Sequence, residues 1–163
     1  MNLDRHDFLL EWGTTQLLTP YGVRTLVPDD PNYQGRYGGG VAARDRAYHN
    51  GSAFPWLLGP LVTLFVKVRG RGSASRAAAL AMLRPCVEHL TGPGMGQLCE
   101  LFDGNAPHSP GGAPASAAAV GEILRGYVED VLDERPESAA AALTLTIGDL
   151  SNVVPTPPAS PRT

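Results

Sequence analysis

Residues 20–51 are so rich in Gly, Pro, Asp and Asn that the sequence reads there as one long connection, and any fold must build around it. A connection of that size inside a compact domain is usually functional or disordered. Its aromatic and arginine content argues against disorder, because segments that stay unfolded are poor in aromatics. The connection holds Tyr33-Gln-Gly-Arg-Tyr-Gly-Gly-Gly and then enters Arg44-Asp-Arg-Ala-Tyr-His-Asn-Gly-Ser-Ala-Phe-Pro-Trp. Tyr33, Tyr37, Tyr48, Phe54 and Trp56 thereby stand beside Arg36, Arg44, Asp45, His49 and Asn50. Aromatic faces next to planar hydrogen-bonding groups suit a ligand with apolar faces and a polar rim, such as a sugar ring. The same aromatics equally serve as core anchors under a surface loop.

Helices flank this stretch. Residues 4–18 carry Phe8, Leu9, Trp12, Leu17 and Leu18 at loosely helical spacing, stopped by Pro20 and Gly22. Ser52 is placed to cap the next helix, with Pro55 in its first turn. From Trp56 to Val68 its apolar residues cover the whole circumference, the pattern of a buried helix. Gly70 and Gly72 end it, and Ser73 opens another, on which Leu80, Leu83, Val87 and Leu90 form one stripe and Pro85 predicts a kink or early end. A loop from Asn105 to Pro114 follows. The last helix, 115–132, presents Val120, Ile123, Leu124, Tyr127, Val128, Val131 and Leu132 on one face. The expected class is all-α, roughly four helices with long loops, in a domain over residues 1–134. Residues 135–163 read as an Ala- and Pro-rich disordered tail, with Leu143-Thr-Leu-Thr-Ile alternating like a short strand.

The formal net charge of -3 gives no electrostatic reason to expect nucleic acid or an anionic membrane as partner. Cys86 and Cys99 are too few for a disulfide framework, no His, Asp or Glu pair has metal-ligand spacing, and no cofactor motif is present. The glycine-rich Gly35-Arg-Tyr-Gly-Gly-Gly lacks the Gly-Lys-Ser/Thr ending and preceding strand of a phosphate loop. The N-terminus is acidic where a signal peptide is basic, and no stretch reaches the apolar length of a membrane span. A cytoplasmic chain is expected.

Several motifs stand in a specific order: Tyr21-Gly-Val-Arg-Thr-Leu, Tyr33-Gln-Gly-Arg-Tyr-Gly-Gly, Arg44-Asp-Arg-Ala-Tyr-His-Asn-Gly and Pro55-Trp-Leu-Leu-Gly-Pro. Cys99-Glu-Leu-Phe-Asp-Gly-Asn-Ala-Pro-His-Ser-Pro comes later, before a helix containing Gly121-Glu-Ile-Leu-Arg. Over residues 17–127 this series resembles the C-terminal part of bacterial glycogen debranching enzymes of the amylo-α-1,6-glucosidase type. The resemblance implies an (α/α)6 toroid of the six-hairpin glycosidase kind, of which this chain carries about a third. Apolar faces left uncovered point to self-association or to the N-terminal part of the barrel as partner. The implied ligand is an α-glucan oligosaccharide or glycogen.

Inverting glycoside hydrolysis needs one carboxylic acid to protonate the leaving oxygen and a carboxylate to activate water across the ring. The resemblance makes Glu100 the general base; read from residue type alone, it is a solvent-facing glutamate opening a turn with Asp103-Gly104. The substrate-site candidates are Arg36, Tyr37, Asp45, Tyr48, His49, Trp56, Asp103 and His108, with His49 and His108 read as binders of hydroxyls or as structural hydrogen-bonding residues. Asp45 and Asp103 are read as partners of sugar hydroxyls or as pins for their own loops through Arg36 and Arg44. The family's acid is an aspartate upstream of the Tyr21 motif, where this chain has only Asp4 and Asp7. Two further departures weaken the sugar site: Phe54 stands where the family has an indole, and Ser116-Ala-Ala replaces Gln-Ala-Trp. A non-catalytic remnant, or a helical module that binds carbohydrate or packs on a partner, is the alternative.

Overall fold

The computed structural model describes residues 5–134. Expectations for Asp4, the 143–147 alternation and the tail from 135 lie outside the described residues. The first helix, α1 (Arg5–Trp12), widens into a π-helical turn, Gly13–Leu17. Thr14 and Thr15 donate their hydroxyls back to the Leu10 and Glu11 carbonyls at 2.8 and 2.7 Å, a substitution for backbone bonding that loosens a helix end.

The expectation of an all-α chain is corrected by a five-stranded antiparallel meander in the order β1-β2-β3-β4-β5. Its strands are β1 (Leu18–Thr19), β2 (Gly22–Arg24), β3 (Ala53–Phe54), β4 (Leu101–Phe102) and β5 (Pro110–Gly111). Leu18 faces Val23, Val23 faces Phe54, Ala53 faces Phe102, and Leu101 faces Gly111. The long connection is corrected as well. Val41–His49 within it form a helix, α2, whose one buried residue is Ala47. Ser52 does not cap the following helix: its hydroxyl donates to the Ala47 carbonyl at 2.9 Å and closes α2 instead. The chain passes from β3 through a 3-10 turn, Pro55–Leu57, straight into α3 (Leu58–Arg69).

The packed helices are α3, α4 (Ser73–Thr91) and α5 (Ala117–Arg125), the last followed by a π-helical turn, Gly126–Val131. Leu58, Val62 and Val66 of α3 meet Ala79, Leu83 and Cys86 of α4, Ala119 and Ile123 of α5, and Leu98, Cys99 and Phe102. Tyr21 stacks on Phe102 at 4.6 Å, and His89 meets that ring edge-on at 5.1 Å. Three expectations are revised here. Pro85 neither breaks nor shortens α4, which runs unbroken through it. The buried face of α4 is Ser75, Ala79, Leu83, Cys86 and His89, so Val87 points outward and is exposed. On α5 and its extension, Val120, Leu124, Tyr127 and Leu132 are exposed, while Ala119, Ile123, Gly126 and Asp130 turn inward.

Asp130, 2% exposed, is held by charge and hydrogen bonds from three directions. Thr63 of α3 donates to it at 2.6 Å, Arg71 from the α3–α4 link lies 3.3 Å away, and Arg125 of α5 lies 3.7 Å away. A buried carboxylate is tolerable only with such partners, and here they also fix α5 against α3. Among the described residues no helix is long and apolar enough to cross a membrane.

The meander is tied to the α2 region by a backbone crossing. A methyl at Gly104 would run into the Gly51 carbonyl oxygen, itself backbone and unable to yield. Nothing larger than glycine fits at 104. The Gly104→Ala variant should lose at least about 2 kcal/mol in urea-unfolding experiments. Gly38→Ala, where a methyl meets nothing within 4 Å, should change stability by less than about 0.5 kcal/mol. Equal stabilities for the two variants would show that the crossing does not hold in solution.

Candidate active site

Glu100 precedes β4, and its main chain closes the 100–113 hairpin through an N–H bond to the Ala113 carbonyl at 2.9 Å. Its side chain is gripped at both oxygens. Tyr48 donates its hydroxyl to Oε1 at 2.7 Å, and the Ala113 N–H donates to Oε2 at 2.9 Å. A carboxylate offers roughly four acceptor positions, so two remain open to a water or hydroxyl. Gly112 allows this seat. It takes a φ of +69°, which favours glycine, and a methyl there would stand 2.6 Å from Oε2.

Tyr48 belongs to α2, and the same face of that helix lines a cavity of about 240 Å³ with Tyr37, Val41, Arg44 and Asp45. Val41, Arg44, Asp45 and Tyr48 fall at the i, i+3, i+4 and i+7 spacing that puts residues on one helical face. Tyr48 therefore links the cavity wall to the Glu100 carboxylate. Its hydrogen bond to Glu100, together with burial and the nearby negative charge, pushes the Tyr48 hydroxyl from 10.0 up to about 12.

Two of the expected site residues are structural pins. Asp103, 6% exposed, accepts the Tyr37 N–H at 2.7 Å and so ties the 33–37 segment to the 103–109 loop. His108 sets its Nδ1 2.9 Å from the Asp103 carbonyl oxygen, inside that same loop. Among the described residues no ion pair joins Asp45 or Asp103 to Arg36 or Arg44, so the expected arginine pins are corrected. Arg44 instead donates to the Gly39 carbonyl at 3.0 Å. Arg36 is exposed and reaches only the Ala106 carbonyl at 3.5 Å. His49 is exposed and packs edge-on against the Tyr48 ring, with centroids 5.0 Å apart. Trp56, 40% exposed, stands on the 3-10 turn that packs against α5 and does not line the cavity.

The structure thus brings Tyr37, Asp45, Tyr48 and Glu100 together and leaves Trp56 and His108 apart from them. Sequence reasoning passed over the Ala113 N–H, which no side-chain pattern can signal. It also passed over Val41, whose spacing to Asp45 and Tyr48 becomes informative once α2 is recognised. Asp7, the described upstream aspartate, lies on α1 and is paired with Arg69 at 3.8 Å. Among the described residues no group of three His, Cys, Asp or Glu side chains is arranged to hold a metal ion.

Residues 1–125 match the family model described as amylo-alpha-1,6-glucosidase. The chain belongs to the amylo-α-1,6-glucosidase family. The assignment agrees with the resemblance of its motifs to the C-terminal part of glycogen debranching enzymes, and it covers every residue of the Tyr48–Glu100–Ala113 arrangement. Among individual curated proteins there is no match.

The raised Tyr48 hydroxyl has a consequence for stability at high pH. A group whose folded pKa lies above its unfolded value adds stability below the unfolded value, here 10.0, and loses it as pH rises through the folded value near about 12. The native chain should therefore lose more stability than Tyr48→Phe between about pH 10 and 12, as followed by circular dichroism in urea. Parallel losses in the two proteins would rule out the Tyr48–Glu100 hydrogen bond as their source.

Proposed function

We propose that this chain supplies the base side of an inverting α-1,6-glucosidase site, which hydrolyses the glucose left at a glycogen branch point. In this reading its helices are part of an (α/α)6 six-hairpin toroid. The observation that carries it is the carboxylate of Glu100, held at both oxygens and joined through Tyr48 to the cavity of Tyr37, Arg44 and Asp45. A fixed carboxylate with open acceptor positions can take a proton from water as that water attacks the anomeric carbon. Tyr37 offers an aromatic surface to the sugar ring, while Asp45 and Arg44 offer an acceptor and donors to its hydroxyls.

Asp103 is buried and holds the Tyr37 N–H, and Asp7 lies on α1 beside Arg69, so neither lines the cavity by Tyr48. The family resemblance puts the part of the acid on an aspartate upstream of the Tyr21 motif. The reaction class uses no cofactor. A second reading, in which the chain packs on a partner and binds oligosaccharide without catalysis, draws support from the exposed Val120, Leu124 and Tyr127 on the α5 side.

Glucose release from a branched limit dextrin by the chain and by Glu100→Gln tests the first reading. General-base catalysis is worth about 10²–10⁴-fold, and the variant should lose that much. Equal release from both would remove Glu100 from the chemistry. No release from either folded protein calls for the same comparison with the upstream part of the barrel supplied. Release that then appears, and is lost in Glu100→Gln, keeps the first reading; its absence, with saturable quenching of Trp12 and Trp56 fluorescence by maltooligosaccharide, favours the second.

A further inference from the structure

Tyr48 falls among the residues expected to touch sugar, yet its one hydroxyl proton is spent on Glu100 Oε1. Its ring packs among others, at 4.8 Å from Phe54, 5.0 Å from His49 and 6.5 Å from Tyr37. The helix beneath it is anchored at its C-terminal end by several bonds. Asn50 N–H donates to the Arg46 carbonyl at 3.0 Å, Ser52 donates to the Ala47 carbonyl through both N–H and hydroxyl, and Thr25 accepts the Gly51 N–H at 2.8 Å.

Glu100 is thus seated between two supports of different origin. One is the anchored end of α2, and the other is the hairpin turn carrying Gly112 and Ala113. A carboxylate that must hold one orientation toward a reacting water gains from such a seat, because a small misplacement of a catalytic group is costly. A hydrogen bond from a neutral hydroxyl to a carboxylate is also of the short, charge-assisted kind.

We infer that Tyr48 is a positioning residue, whose hydroxyl fixes the orientation of the Glu100 carboxylate, and that it is not a sugar contact. This rests on the reading of Glu100 as the base. The charged and titratable groups around Tyr48 are Glu100, Tyr37 and His49, with Asp45 and Arg44 one helical turn away on α2.

Tyr48→Phe tests the inference, since it keeps the ring and removes only the hydroxyl. Its kcat on limit dextrin should fall by about tenfold or more while KM, and the Kd for maltooligosaccharide read from tryptophan quenching, stay within about twofold. A Kd weakened about tenfold with kcat retained would make Tyr48 a sugar contact and overturn the inference. So would unchanged kcat and Kd together. A readout that needs no turnover is the rate at which a water-soluble carbodiimide and an amine modify Glu100, followed by peptide mass spectrometry. That rate should rise several-fold in Tyr48→Phe as the carboxylate is freed, and an unchanged rate would overturn the inference. No glucose release even with the upstream part of the barrel supplied, combined with faster labelling of the variant, would sink the glucosidase reading and leave the seat of Glu100 standing.

Discussion

The close passage of the Gly51 carbonyl over Gly104 holds together the two parts of the chain that make the candidate site. On one side lies the run from α2 into β3, and on the other the hairpin that carries Glu100. The contact admits no side chain, so the backbones approach closely enough for a short cross-linking set of bonds. Asn105 N–H reaches the Gly35 carbonyl at 2.9 Å, Tyr33 reaches Asn105 at 3.0 Å, and Arg24 reaches the Gly104 carbonyl at 2.9 Å. Strands of two or three residues are too short to hold a sheet by pairing alone. Here the loops brace the strands.

What the sequence made legible was apolar mass. The helices α3, α4 and α5 are long or apolar enough to leave a periodic trace, and Gly70, Gly72 and Ser73 mark the boundary between the first two. Helix α2 left no such trace because it buries only Ala47, and a helix that buries one small residue has no apolar stripe to detect. The strands were invisible for a related reason, since alternation needs more positions than Leu18–Thr19 or Pro110–Gly111 provide. The stripe on α4 was placed off-centre, with Leu83 and Leu90 at the core and Val87 outside it, because the core there accepts Ser75, Ala79, Cys86 and His89, small or polar side chains that a hydrophobic pattern discounts.

The site was legible by residue and not by arrangement. Motif order singled out Glu100 and Tyr48, but nothing in the sequence says that a residue 52 positions earlier donates to that carboxylate. Asp103 illustrates the opposite case. An aspartate before a glycine looks available for ligand, and burial with a backbone N–H partner turns it into part of the frame. Trp56 is similar: its family motif placed it at the sugar, while the chain path through Pro55 carries it to the α5 side.

The separation between Tyr48 and Glu100 also governs when the site comes into being. As the chain leaves a ribosome, α2 and its tyrosine emerge first, and the second support for the carboxylate does not exist until Ala113 has followed. Helices α3 and α4 can gather around their apolar faces before that moment, because their contacts are local in the chain. The carboxylate seat is therefore among the last features to be organised during synthesis. A nascent chain arrested before residue 113 would carry the acidic side chain with only one of its two supports.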